Sequence, residues 1–324
     1  MALSYSPIDI RGKAAEPIFA ELFFKNKTIE NQYVSFETDV KYGTVFTENT
    51  NSVTLQPFTC GLPTSVGTIG LTDTEIVPAK IMVYQEFCPD TLRPSRFNRD
   101  MAAGAWNTMS GEFERVVLAT YSQEIAASAE VSFWNGVQSA TTAVSIAALT
   151  GDTSTTERAK IAALAVSNAS EFDGVLAKLV LAHKRIQVTA TTITSSNIAT
   201  EYAKLYAAMD SKLTDAAEAP VIFAPKSHKQ LINIYNSNAT YRDLFSKEAD
   251  KLYYNGIEIR FVPLAENVMI LCLPSTIVWC TDLLGDVNTV KVEKIAANRE
   301  DMFLKVVFTL DSYIANQKFV TLYA

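Results

Sequence analysis

A chain of 324 residues, 48% apolar and 19% charged, is long enough for about two domains and too apolar to remain unfolded. Its 12 glycines and 11 prolines exclude collagen-like and low-complexity classes. The 28 basic against 35 acidic side chains leave a formal charge of −7, which argues against a dedicated nucleic-acid binder and leaves open contact through a local basic patch.

Residues 1–20 contain Asp9, Arg11, Lys13 and Glu16 and do not read as a signal peptide. Ile8, Ile10, Ile18, Phe19, Leu22, Phe23 and Phe24 make residues 1–32 apolar, while Pro7, Gly12 and Pro17 break any long helix. Such an arm needs another surface to cover it, either its own core or a neighbouring subunit. Residues 33–42 alternate, with Val34, Phe36, Thr38, Val40 and Tyr42 on one side, which predicts a half-exposed strand. Residues 43–79 contain no Lys or Arg and are rich in Thr, Ser, Asn and Gly. Short β-prone pieces at 44–46 and 53–55 flank a polar tip at 47–52, which predicts a two-stranded excursion. A two-stranded ribbon is marginal alone and has to lie on something. Val45, Phe46, Val53 and Leu55 on this ribbon, with Ile18, Phe19, Leu22, Phe23 and Phe24 on the arm, are the candidate subunit-interface residues.

Residues 80–87 predict a strand with Ile81, Val83 and Phe87 on one face, ended by Pro89. The longest helical pattern follows at 96–133, where Trp106, Met109, Phe113, Val117, Tyr121 and Ile125 form a slowly drifting stripe. Gly104 and Gly111 weaken its first half by about 1 kcal/mol each relative to Ala. A Ser/Thr/Ala stretch at 139–156 predicts a loop or short helix, and helices are expected at 157–166 and 171–185. Residues 195–213 form the clearest amphipathic helix, with Ile198, Tyr202, Leu205, Met209 and Leu213 as its stripe and Thr194 to Asn197 as capping groups. A strand at 221–224, a helix at 227–235, and strands at 257–262, 268–273, 277–280, 289–295, 302–310 and 318–323 complete the prediction. The longest apolar runs, 268–273 and 161–166, fall far short of the roughly 20 residues that cross a bilayer, so a soluble protein made inside a cell, with no membrane partner, is expected.

Chemistry-bearing patterns are absent. No G-x-G-x-x-G, P-loop, G-x-S-x-G or H-E-x-x-H occurs. Cys60, Cys88, Cys272 and Cys280 match no zinc or redox spacing and read as small buried apolar groups. The two histidines, His183 and His228, read as solvated or capping. Ser227 and His228 sit at a strand-to-helix turn, but neighbours on a helix point about 100° apart and cannot form a dyad. Glu112 with Glu114, and Glu300 with Asp301, are likewise too close in sequence to face each other. No catalytic residue, cofactor or metal is expected.

The order of elements resembles the major capsid proteins of tailed bacteriophages. Ile76-Val77-Pro78-Ala79-Lys80-Ile81-Met82-Val83 and Phe87-Cys88-Pro89-Asp90-Thr91-Leu92 look like the strand and turn before that family's spine helix, and residues 96–133 look like the helix itself. Ala219-Pro220-Val221-Ile222-Phe223-Ala224-Pro225 resembles the strand-to-helix step of the axial domain. Asn255-Gly256-Ile257-Glu258-Ile259, Trp279-Cys280-Thr281-Asp282-Leu283, and the strands at 302–310 and 319–323 resemble the later strands.

The resemblance implies an α+β fold of the Hong Kong 97 type. Residues 1–32 would be the N-terminal arm, 33–78 the extended loop, 79–135 with 295–324 the peripheral domain, and 136–294 the axial domain. It further implies a homo-oligomer that assembles through pentamers and hexamers into an icosahedral shell in the virion, built in the host cytoplasm. Its partners would be a portal, a separate scaffolding protein and packaged double-stranded DNA, the last by weak non-specific contact. Some family members cross-link through a lysine on the extended loop, but none lies between Lys41 and Lys80 here. An acidic wall suits packed DNA, which a strongly basic wall would adsorb. The alternatives are an encapsulin-like cargo shell, against whose N-terminal docking helix Pro7, Gly12 and Pro17 argue, and a cytosolic α/β enzyme with no recognisable site.

Overall fold

The computed structural model describes residues 8–11, 27–40, 44–88 apart from 50, 59, 63 and 65, 111–138, 155–182, 184–238, 244–248, 251–282, 289–295 and 301–324, without the side chains of 111–120, 122, 155, 289 and 290. The first half holds β1 (Ile8–Arg11), α1 (Lys27–Glu30), β2 (Ser35–Glu37), β3 (Thr44–Asn49), β4 (Ser52–Val53), β5 (Gly67–Thr68), β6 (Leu71–Ile76), β7 (Ala79–Phe87) and α2 (Gly111–Asn135). Next come β8 (Val137–Gln138), α3 (Thr155–Ser167), β9 (Ala169–Ser170), α4 (Val175–Ala182), β10 (Ile186–Val188) and α5 (Ile198–Ala207). The chain closes with β11 (Val221–Pro225), α6 (Lys226–Asn238), β12 (Phe245–Glu248), β13 (Lys251–Tyr254), β14 (Ile257–Val262), β15 (Met269–Cys272), β16 (Ile277–Cys280), β17 (Thr289–Lys294), β18 (Met302–Ile314) and β19 (Thr321–Tyr323).

Strand β18 organises the first sheet, ordered β1-β17-β18-β16-β2 with β7 also on β18. Met302, Leu304, Val306 and Phe308 are buried in alternation, as a strand with one covered face requires. In this half β17 and β7 flank β18 antiparallel, with Met302 opposite both Lys294 and Phe87. Beyond Leu310 every residue to Ile314 is buried, because β16 takes over as partner.

The second sheet runs β10-β19-β15-β11-β14-β13-β12. Its central strands β11 and β15 are buried along their whole length, the pattern of strands covered on both faces. Their alternation sorts successive residues into two cores. Ile222, Ala224, Met269 and Leu271 face a core completed by Ile198, Tyr202 and Leu205 of α5 and Ile232 of α6. Val221, Phe223, Ile270 and Cys272 face the larger core, shared with α2, α3, α4 and the first sheet. The end of α2 joins the two sheets. Phe133 stacks on Trp279 of β16 at 4.3 Å, and Trp134 lies 5.1 Å from Phe223 of β11.

Two buried polar clusters tie elements together. Trp134 Nε1 donates to Thr28 Oγ1 at 3.1 Å, and the Thr28 hydroxyl donates to Glu130 Oε1 at 2.5 Å, which docks α1 on α2. Arg185 grips Glu157 through Nε and Nη2 at 3.2 and 2.7 Å, while Nη1 donates to the carbonyls of Leu179 and Val180 near the end of α4.

Several expectations shift. Of the strand expected over 33–42, the described residues 33–40 hold only β2, because Asp39 turns to φ 65° just after it, and 41–42 lie outside the described residues. The hairpin β12–β13 was hidden by its charged exposed face, with Phe245, Leu252 and Tyr254 buried behind it. Asn197 does not cap α5; its Oδ1 accepts from the Thr194 amide at 2.7 Å instead. Sheet membership crosses the expected division at three strands: β16 and β17 belong with β18, whereas β19 pairs with β10 and β15. Of α2, Tyr121 and Ile125 pack on the larger core as their stripe predicts. Trp106, Met109, and the side chains of Phe113 and Val117 lie outside the described residues.

His228 is buried, not solvated. Its Nδ1 lies 3.2 Å from the Tyr202 hydroxyl, and Nε2 has no partner among the described residues. Burial pushes the imidazole down from 6.5 to about 4. The folded state therefore holds it neutral, while the unfolded chain takes up a proton near pH 6.5. Its contribution is fully present above pH 6.5 and is lost as pH falls towards 4, a loss of about 3 kcal/mol by pH 4 at roughly 1.36 kcal/mol per unit. Urea unfolding at pH 7 and pH 4 should show the native chain losing more stability than His228→Gln, which cannot titrate. Equal losses in the two chains would contradict this origin.

Candidate assembly surface

A polar, lysine-free run builds an excursion with a firm base and a bare tip. Strands β3 and β6 pair antiparallel from Thr44–Ile76 to Asn49–Leu71, and β4 pairs with β5 from Ser52–Thr68 to Val53–Gly67. The tip therefore lies between residues 53 and 67, not at the expected 47–52. Thr47 Oγ1 donates to Asp73 Oδ1 across the ladder at 2.7 Å. Gly67 sits at φ 112°, and a Cβ there would stand 2.5 Å from the Ser52 carbonyl oxygen, so this turn needs glycine.

The base is clamped to the first sheet. Val40, Ile76, Val278, Cys280 and Tyr313 form a small core, and Phe46 packs on it with its ring stacked on Tyr313 at 4.6 Å. Glu48 Oε1 accepts from the Tyr313 hydroxyl at 3.3 Å and from the Asn316 amide at 3.0 Å. Burial first, then the charge of Glu48, pushes the Tyr313 phenol up to about 12, and burial pushes the Cys280 thiol up to about 12. Both groups stay protonated at neutral pH and serve packing.

Past the clamp the apolar side chains are bare. Val53, Leu55, Phe58, Leu62 and Ile69 are 85%, 93%, 92%, 100% and 88% exposed. No charged residue occurs from 49 to 72, so covering this stretch buries no side-chain charge. Covering each Val, Leu, Ile or Phe would contribute roughly 1.5–3 kcal/mol.

Of the candidate interface residues, Val45, Val53 and Leu55 are exposed on the ribbon, whereas Phe46 turns inward onto its own chain. Ile18, Phe19, Leu22, Phe23 and Phe24 lie outside the described residues. Sequence reasoning missed Phe58, Leu62 and Ile69, whose signal was available: isolated apolar residues without period in a charge-free run.

Elsewhere, Ser227 Oγ donates to Glu266 Oε2 at 2.8 Å rather than engaging His228. Cys272 and Cys280 are buried as expected, but Cys60 is exposed on the ribbon and Cys88 is half-buried. His183 and Glu300 lie outside the described residues, as do the side chains of Glu112 and Glu114; Asp301 is half-buried at the start of β18. Among the described residues no group of three or more His, Cys, Asp or Glu side chains could hold a metal, and no helix is long and apolar enough to cross a membrane.

No protein-family model and no curated protein matches the sequence. Solved structures do match, over almost the whole chain. A chain of the satellite phage P4 procapsid, a structure that includes the size-determination protein, is 10% identical with a TM-score of 0.57, covering 95% of this chain and 98% of its own. A chain of the native GTA particle capsid is 8% identical with a TM-score of 0.55, covering 100% and 93%. A chain from Microbacterium phage Oxtober96 is 12% identical with a TM-score of 0.51, covering 100% and 94%. The fold is one found in phage capsids. At these identities the likeness is one of fold.

Proposed function

We propose that this chain is the major capsid protein of a tailed bacteriophage, of the Hong Kong 97 type, assembling through pentamers and hexamers into an icosahedral shell around double-stranded DNA. The observation that carries the reading is the fold shared with chains of phage capsids over 95% or more of this chain. The bare ribbon supports it physically, because a head-to-tail contact between one subunit's projection and another's body makes rings wherever the rotation between copies closes. In this reading residues 1–32 are the arm and 33–78 the extended loop. Residues 79–135 with 295–324 are the peripheral domain and 136–294 the axial domain, with β16 and β17 of the latter pairing into the sheet of β18. The shell belongs to the virion and is assembled in the host cytoplasm, with a portal and a separate scaffolding protein as partners. With no lysine between Lys41 and Lys80, a cross-link through a lysine of this loop is not expected.

Negative-stain microscopy and sedimentation velocity of the expressed chain, alone and with a co-expressed scaffold, test the proposal. Closed particles, or rings of five or six subunits, are the expected result. A compact monomer under both conditions would overturn it.

A further inference from the structure

Helix α1, the first turn of α6, and strands β13 and β14 enclose a cavity of about 490 Å³, within the range of ligand sites. Its wall carries Lys27, Lys226, Lys229, Lys251 and Arg260 against a single carboxylate, Glu258. That carboxylate is already engaged, with Lys251 at 2.9 Å and Arg260 at 3.0 Å. Arg260 also donates to the Tyr33 carbonyl at 2.9 Å and lies 5.3 Å above the Tyr33 ring. Lys27, Lys226 and Lys229 have no ion pair among the described residues.

This concentration of cations runs against its surroundings twice. The chain as a whole carries −7, and the first turn of α6 holds two lysines and no acidic residue. The positive end of a helix disfavours cations by about 0.3–1 kcal/mol each. Lys226 and Lys229 stand three residues apart, so they share one helix face. Both are exposed. A bound anion is what would offset that arrangement.

The chemistry of the anion follows from which cations are free. The planar guanidinium suited to a carboxylate is occupied by Glu258 and the Tyr33 carbonyl. What remains are lysine ammoniums, point charges that suit phosphate oxygens without demanding one geometry. The ribbon of a second copy does not fit, since residues 49–72 bring no charge to neutralise. We propose that this pocket takes backbone phosphates of nucleic acid and marks the subunit face that meets packaged DNA. The identity of the DNA rests on the shell reading above; the phosphate chemistry does not.

The full-length chain is titrated with a short fluorescent DNA duplex over a series of salt concentrations, with tripolyphosphate and polyglutamate as competitors. Lys226→Gln/Lys229→Gln should weaken duplex binding about tenfold or more at low salt and reduce the slope of log affinity against log salt by about 2, near one per lost phosphate contact. Lys184→Gln/Lys247→Gln changes the net charge equally at exposed lysines outside the pocket and should leave both quantities unchanged. Tripolyphosphate should displace the duplex, and polyglutamate should not. Equal losses in the two double variants would reduce the effect to overall charge and overturn the proposal. Polyglutamate competing as well as tripolyphosphate would assign the pocket to an acidic protein instead. Tripolyphosphate binding without duplex binding would assign it to a small free phosphate. Microscopy of the same samples separates the two readings: wild-type chains that form no particles sink the shell, while the duplex titration still judges the pocket.

Discussion

Replacing residues 51–69 by a short Gly/Ser linker is expected to abolish closed particles while changing subunit stability by less than about 0.5 kcal/mol. The removed segment holds Val53, Leu55, Phe58, Leu62 and Ile69, all bare in the subunit, so its loss costs the core no buried area. A shorter connection also lowers the closure entropy slightly. The cut leaves the clamp intact, because Phe46, Glu48 and Ile76 stay on Tyr313 and its neighbours. A wider excision from residue 43 to 77 would remove Ile76 and open that small core. Calorimetry and sedimentation of the same preparation read the two effects separately. Normal particles from the shortened chain would show that the ribbon makes no essential lateral contact, and a collapsed melting temperature would place it in the core.

Phe133→Ala is expected to cost about 3–5 kcal/mol through the transfer and cavity terms. Its ring is fully buried, stacked on Trp279 at 4.3 Å and edge-on to Trp134 at 5.4 Å. This cluster is where α2 meets both sheets, so neighbours cannot collapse into the gap without moving a sheet. The loss is a large share of a typical total of roughly 5–15 kcal/mol, and particle yield should fall with it. Phe133→Leu, which keeps an apolar side chain at the same junction, should cost clearly less. Urea unfolding of the three chains decides the matter; a loss below about 1 kcal/mol for the alanine variant would put the junction outside the cooperative core.

What could be read in the sequence was whatever depends on neighbours along the chain. The Ile198, Tyr202, Leu205 stripe marks one helix face, and all three are fully buried. Strands β14 and β16 fall at their expected residues, since their apolar runs are bounded by local turn signals. The lysine-free, Thr-rich composition marked the excursion as a unit without a core of its own.

Its tip was misplaced because strand register is set by the partner, and the returning strand β6, Leu71–Ile76, carries only a weak pattern. Phe46 points inward for a similar reason: the surface that receives it, Tyr313, is supplied by the far end of the chain. His228 is buried by Tyr202, 26 residues earlier, a contact no local pattern announces. The basic pocket gathers Lys27, Lys226, Lys251 and Arg260 from four elements, so no charge run betrays it. Strands β15 and β16 are close in sequence, yet they enter different sheets. The sequence by itself determined elements such as α5, β14 and β16 and the apolar faces they bury, because helix and strand periods are properties of a few consecutive residues. Which sheet a strand joins, which ribbon face is bare and which cations converge were decided only in the tertiary structure, where hydrogen-bonding partners and charges meet across hundreds of residues.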